Sequence, residues 1–318
     1  MPSRWKQSLG LALFSTLPIL ALAAQKPATP LRCPADTVTV QVLGSSGPIA
    51  EGIGAAASYL VRIDGVPRLL IDAGPGSFLR FGEAGATVAT LQGIALSHLH
   101  ADHTVDLPGI LNMGAFEELG PRLLLIGPNG AGRFPGTIDF VRSLISRDNG
   151  AWRYLGGYLD GAEGSPQLDI REVKADQQDD PPKRFAIGPD MFLTAMPVHH
   201  GDVPALGFLV EAKGKTALFA GDQNDESEAF ASRLAGRKPD LMIVHHVIPE
   251  GPGQPIGLHR SPTSLGELAG GVAPHRLVLA HNMKRSLDRL DEGIAAIRTH
   301  YKGVLVVAHD LDCYGLGK

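Results

Sequence analysis

The chain has 318 residues, 44% of them apolar, and a formal charge of −4 at pH 7. That apolar supply is ample for a large core and excludes a disordered chain, while the acidic balance and the lack of any Lys/Arg-rich block argue against a general polyanion binder. The 39 glycines and 24 prolines are spread out, which excludes a collagen-like repeat and points to a loop-rich mixture of helix and strand.

The chain opens with Arg4 and Lys6, then an apolar run from Leu9 to Leu22, with small residues at Ala21, Ala23 and Ala24. A run of about 14 residues is short of the roughly 20 that span a bilayer. Residues 1–24 therefore read as an export signal and 25–36 as a leader, and the protein is expected in the periplasm or secreted, with no stable membrane insertion after cleavage. The two cysteines, Cys33 and Cys313, stand near opposite ends of the exported chain. An even count in an oxidising compartment leads us to expect a disulfide.

Thr37–Leu43, Ala57–Ile63 and Arg68–Asp72 alternate as strands, the last two joined by an Asp64-Gly65 turn. Phe78–Thr90 reads as a helix interrupted near Gly82 and Gly85. A short buried strand, Gly93–Leu96, leads into His98-Leu99-His100-Ala101-Asp102-His103, and Leu107, Ile110 and Leu111 then recur at helical spacing. If the strand geometry persists, His98 and His100 point to one side. Imidazole and carboxylate donors suit zinc, with manganese or iron as alternatives.

Arg122–Pro128 is a further buried strand. Residues 133–190 read as an excursion, helical and aromatic over Thr137–Tyr158, then polar to Asp190. It could cap a site, form a homodimer surface, or be a packed helical pair with a surface loop. After it, a strand ends at His199-His200, another at Gly221-Asp222, another at His245-His246 and another at His281. Helices are expected over Glu226–Leu234, Ser264–Gly271 and Leu287–Tyr301, and a last strand over Gly303–Ala308. Hairpins followed by mixed strands and helices fit two sheets between outer helices, an α+β, four-layer αββα sandwich. Strand ends converging on one rim would build a site on rigid elements.

The HxHxDH run resembles the signature of the metallo-β-lactamase superfamily, and Asp72 with Gly74-Pro75-Gly76 resembles that family's opening hairpin. The resemblance covers most of residues 37–310. It implies two zinc ions per chain: His98, His100 and a histidine before Val203-Pro204 on the first, Asp102, His103 and His281 on the second, and Asp222 bridging. His199 and His200 compete for the third position, and the His-Gly-x-Val-Pro run favours His200. Asp72 would support the metal loop without ligating. The two ions would stand about 3.5–4 Å apart with an attacking hydroxide between them.

Asp106-Leu107-Pro108-Gly109, the Val203–Phe208 run and His259-Arg260-Ser261-Pro262-Thr263 look like the ribonuclease Z and arylsulfatase-like branch. There a histidine at the place of His259 protonates the leaving oxygen. The expected catalytic residues are thus Asp102 and His259, and the expected substrate a small phosphodiester or sulfate ester. A lactone, carboxyl ester or β-lactam is the alternative, and a non-catalytic binding protein on the same scaffold a third reading. Gln223 stands where that branch usually has Thr, and His245-His246 where His-Glu or His-Asp is usual. A tRNA-grasping arm is not apparent, so no nucleic-acid partner is expected. His245 or His246 could add a proton donor or substrate contact.

Overall fold

The computed structural model describes residues 33–317, apart from 163 and 178. The export signal expected over 1–24 and most of the leader lie outside the described residues. The chain builds β1 (Val38–Gly44), β2 (Ser58–Ile63), β3 (Val66–Ile71), β4 (Gly93–Ala95), β5 (Arg122–Pro128) and β6 (Gln167–Val173) of a first sheet. It then crosses to β7 (Lys183–Ala186), β8 (Met191–Val198), β9 (Ala205–Ala212), β10 (Lys215–Phe219), β11 (Leu241–His245), β12 (Arg276–Ala280) and β13 (Val304–Val307) of a second. A short β14 (Cys313–Gly315) returns to pair with β1, giving the spatial order β14-β1-β2-β3-β4-β5-β6 against β13-β12-β11-β10-β9-β8-β7.

Period-two side-chain alternation makes these sheets a sandwich. Val38, Val40 and Val42 of β1, Tyr59 and Val61 of β2, Phe208 and Val210 of β9, and Leu241 and Ile243 of β11 fill the space between the sheets. The intervening residues face outward. The helices beside the first sheet are α1 (Ser77–Glu83), α2 (Ala101–Thr104), α3 (Leu107–Gly114), α4 (Thr137–Ile145) and α5 (Gly157–Asp160), and Leu60 and Leu70 share a core with Phe81, Leu107, Ile110, Val141 and Tyr158 of α1, α3, α4 and α5. The helices beside the second sheet are α6 (Glu228–Leu234), α7 (Pro262–Val272), α8 (Lys284–Leu287) and α9 (Leu290–His300), and Met242, Val244 and Leu279 share a core with Phe230, Leu265 and Ile297 of α6, α7 and α9. The layers are αββα, as expected. Among the described residues no helix is long and apolar enough to cross a membrane.

The parallel pairs β3–β4 and β10–β11–β12 align their C-terminal ends along one edge of the sandwich. Asp72, His98, Asp222, His245 and His281 lie at or just beyond those ends. Side chains far apart in sequence thus meet where open sheets present their ligand-facing edge.

The expected excursion at 133–190 is corrected in its second half. Gln167–Val173 pairs in parallel with β5 throughout its length, and Lys183–Ala186 pairs with β8, so both are edge strands of the two sheets. Its first half packs as a helical pair, with Val141, Ile145, Leu155 and Tyr158 buried against the first sheet. The interrupted helix of 78–90 is α1 followed by a separate single turn, Val88–Thr90, with Gly85 at φ 64° between them. Cys33 and Cys313 are bonded, and the crosslink ties the start of the domain to β14.

Candidate metal centre

Two sets of imidazoles face each other across Asp222. In the first, His98 Nε2 lies 3.0 Å from His100 Nδ1, and the His200 ring centroid lies 5.0 Å from that of His98 and 5.3 Å from that of His100. In the second, His103 Nε2 lies 3.1 Å from His281 Nε2, which lies 3.2 Å from Asp102 Oδ2. Asp222 Oδ2 stands 3.6 Å from His200 Nε2 and 3.8 Å from His103 Nε2. Every residue expected to hold metal is thus brought to one place, and all but His100 are buried. Asp102, expected as both ligand and catalytic residue, lies with the second set.

The expected supporting role of Asp72 is visible as hydrogen bonds. Its Oδ1 accepts from the Ser97 amide at 2.7 Å, and its Oδ2 takes the Ser97 hydroxyl and His103 Nδ1, each at 2.8 Å. Asp72 and His281 both adopt left-handed backbone, at φ 58° and 51°. Such geometry costs of order 1–3 kcal/mol per residue and persists where surrounding contacts over-determine it. Gly221, at φ 68°, turns the chain into Asp222, and a Cβ there would sit 2.7 Å from the Leu206 carbonyl oxygen.

His199 and His200 differ in burial and in their partners. His200 donates from Nδ1 to the Leu258 carbonyl at 2.9 Å, so its Nε2 is a bare lone pair, and that atom is buried with no hydrogen-bond partner. His199 points outward, 3.1 Å from Asn224 Oδ1 and 3.4 Å from Glu226. The orphaned Nε2 is the test of whether a cation fits. His103 likewise spends Nδ1 on Asp72, which leaves its Nε2 to face that of His281. Nitrogens about 2.0–2.1 Å from one tetrahedral zinc stand about 3.3 Å apart, close to the 3.0 and 3.1 Å separations seen here. The donor set therefore fits divalent cations.

Electrostatics support the same reading. Burial alone would raise the Asp222 carboxyl, but His281, His245 and His200 pull it well below the usual carboxylate range. Burial is likewise overcome at Asp102, where His281 and His103 bring it to about 2. Burial lowers His98 well below its ordinary value, with His103 and His200 adding to the effect. Burial would also lower His103, but Asp72 raises it to about 9, so a cation taking its Nε2 displaces a proton.

Three other histidines face the centre or flank it. His259 Nδ1 is buried without a hydrogen-bond partner, 4.0 Å from Asp222 Oδ2. Its loop is held by Arg260, whose Nε donates to Gln223 Oε1 at 3.2 Å. Gln223, which departs from the usual Thr, thus anchors the segment that carries His259. His245, expected with His246 as a candidate proton donor or substrate contact, lies 2.5 Å from Asp222 through Nδ1. His246 turns the other way, toward Asn282 at 3.3 Å and away from the centre.

Burial pulls His245, His246 and His259 each to about 4. These rings stay neutral in the fold at pH 5, while the unfolded chain takes up their protons below about 6.5. Metal-free protein is therefore expected to lose stability between pH 7 and pH 5, by about 3 kcal/mol or more. His103 offsets only a small part of this loss: its contribution is nearly complete at pH 7 and disappears as pH rises through about 9. Urea midpoints at the two pH values measure the effect; equal midpoints would contradict it.

Beside the first set opens a cleft of about 830 Å³, lined by Arg133, Phe134, Asp176, His199, Asp202 and Glu226 among others. The Phe134 ring lies 6.2 Å from that of His100, and the Arg133 guanidinium sits over Phe134 at 5.2 Å.

The model of the metallo-beta-lactamase superfamily matches residues 52–224. The chain belongs to the metallo-beta-lactamase superfamily. Within it, the chain is 28% identical over 190 residues to the ribonuclease Z of Mycolicibacterium gilvum (strain PYR-GCK), covering 58% of this chain and 61% of that protein. It therefore spans about three-fifths of that relative's length. Two solved structures share the fold. The metallo-beta-lactamase fold protein YhfI from Bacillus subtilis has a TM-score of 0.66 at 17% identity, covering 88% of this chain and all 100% of that one. The short form of human tRNase Z has a TM-score of 0.63 at 19% identity, with the same two coverages of 88% and 100%. The ribonuclease Z-like branch is the part of the superfamily this chain resembles.

Proposed function

We propose that this superfamily member is a dinuclear, metal-dependent hydrolase of small phosphodiesters or sulfate esters, exported to the periplasm or secreted. The observation that carries the reading is the pair of His/Asp sets joined by Asp222, with the unpartnered Nδ1 of His259 facing them. His98, His100 and His200 would hold one cation, and Asp102, His103 and His281 the other, with Asp222 between. Zinc best suits this donor set, with manganese and iron as alternatives. When bound, such a pair supplies Lewis acidity toward the ester oxygens and a nucleophile at neutral pH.

The chain's own residues do the rest. Asp72 keeps the His103 proton on Nδ1, so Nε2 stays available. His259, neutral in the free protein, gains its proton when an ester anion lies against it, because a nearby negative charge favours the imidazolium. Nδ1 then gives that proton to the leaving oxygen. A neutral lactone or carboxyl ester brings no such anion to raise the imidazole, so His259 would stay neutral and supply no proton to its alkoxide.

Ribonuclease Z acts on RNA by its name, and that likeness does not support the expectation of no nucleic-acid partner. What supports a small substrate is the cleft wall, where Asp176, Asp202 and Glu226 stand against the one guanidinium of Arg133. A polyanion is repelled by such a wall. The Cys33–Cys313 bond supports an oxidising compartment.

The test is a turnover panel on zinc-loaded protein: aryl phosphodiesters, aryl sulfates, a lactone, a β-lactam and a structured RNA. Hydrolysis confined to the first two, lost on chelation and restored by zinc, is the expected result. Preferential cleavage of RNA or of the lactone would replace the substrate class, and no turnover of anything would point to a binding protein.

A further inference from the structure

Neither ring nitrogen of His245 is free. On β11, Leu241, Ile243 and His245 alternate onto the inner face of the second sheet, opposite Tyr59 on the inner face of the first. The Tyr59 hydroxyl lies 3.0 Å from His245 Nε2, and His245 Nδ1 lies 2.5 Å from Asp222 Oδ1. Tyr59, His245 and Asp222 are 1%, 6% and 3% exposed. Phe219 packs against the tyrosine ring at 5.5 Å, and His281 stacks on His245 at 4.5 Å.

These distances settle where the protons lie. No other hydrogen-bond partner of the Tyr59 hydroxyl occurs among the described residues, so a phenol that donates must donate to Nε2. The ring proton is then on Nδ1, and it goes to Asp222 Oδ1. The other tautomer would strand the phenol proton and set two lone pairs 2.5 Å apart. Two donors at about 2.0–2.2 Å from one tetrahedral or octahedral ion stand about 2.8–3.6 Å apart. The His98–His100 and His103–His281 separations, 3.0 and 3.1 Å, fall in that interval. The His245–Asp222 separation is shorter than that interval, as a direct hydrogen bond from an imidazole N–H to a carboxylate oxygen would make it.

We propose that Tyr59 and His245 are positioning residues, a proton-ordered prop behind Asp222 that fixes its Oδ1 and swings its Oδ2 between the two histidine sets, and that His245 is not itself a metal ligand. The proposal rests on the reading of the His/Asp cluster as a metal centre. It assigns His245 control over how tightly metal is held, not over how many ions are held. Partners of this kind behind a metal ligand typically change affinity or activity 10- to 100-fold when removed.

The test compares wild type, His245→Gln and Tyr59→Phe, each checked for folding by circular dichroism. Zinc per chain is measured by elemental analysis after dialysis, zinc affinity by competition with a chromophoric chelator, and site geometry by the visible spectrum of the cobalt-loaded protein. The expected result is the wild-type zinc count in both variants. Zinc affinity should fall about 10- to 100-fold in His245→Gln and less in Tyr59→Phe, with a shifted cobalt spectrum in each. Loss of one zinc per chain in His245→Gln would make it a ligand and overturn the proposal. Unchanged affinity and spectrum in both variants would make the pair bystanders and overturn it equally. Should His245→Gln fail to fold, Tyr59→Phe keeps the imidazole, removes one hydroxyl and decides alone. A wild type that takes up no zinc would defeat the metal-centre reading itself and the proposal with it.

Discussion

Asp222→Ala is expected to reduce ester hydrolysis by on the order of 10³-fold or more, about 4 kcal/mol of transition-state stabilisation, and to weaken zinc retention. Among the described residues Asp222 is the carboxylate that approaches both histidine sets, with Oδ2 3.6 Å from His200 and Oδ1 3.6 Å from His281. Its removal leaves Asp102, confined to the second set, as the only carboxylate expected to hold metal beside the five imidazoles. Two cations would then share a site with half its negative charge. Asp222→Asn keeps the shape without the charge, and comparison of the two variants separates charge from geometry. The measurement is kcat at saturating zinc, with zinc content determined on the same sample. A loss of less than about tenfold at unchanged zinc content would remove Asp222 from the centre of the account.

His259→Gln is expected to produce a defect that grows with the basicity of the leaving group. For alkyl esters the loss should be about 10²–10⁴-fold in kcat, the range for a positioned general acid. For p-nitrophenyl esters, whose leaving group departs without a proton, it should be under about tenfold. The contrast follows from the structure: Nδ1 is aimed at the Asp222 region with no hydrogen-bond partner of its own. Burial pulls the ring to about 4, so its acid form arises only against an anionic substrate. A plot of log kcat against leaving-group pKa for wild type and variant measures this directly. Parallel lines would assign His259 to substrate placement instead of proton transfer.

The parts of the molecule readable from sequence were those where one pattern served one purpose. Alternation at Val38, Val40 and Val42 marks a strand with one face in the core, and the HxHxDH run at 98–103 has little reason to exist without a ligand to hold. The edge strands were hidden because they bury little. Lys183–Ala186 has no buried residue, and Gln167–Val173 buries only Leu168 and Val173, so both read as polar loop. β14 is three residues long and depends on β1 for its hydrogen bonds.

His245 was obscured for a different reason. Leu241–Val244 is apolar on both faces, because β11 is covered by the other sheet on one side and by helices on the other. A run without alternation does not say which of two adjacent histidines turns inward. Once the facing of Ile243 is known, parity sends His245 to the centre and His246 away. The pairing of Gln223 with Arg260 spans two loops and left no periodic trace in the sequence.

Crystals grown with zinc and measured by anomalous diffraction at the zinc edge bear most directly on the central claim. The account predicts two peaks about 3.5–4 Å apart, one among His98, His100 and His200, the other among Asp102, His103 and His281, with Asp222 reaching both. A single peak elsewhere on the surface, or none at this cluster, would contradict it.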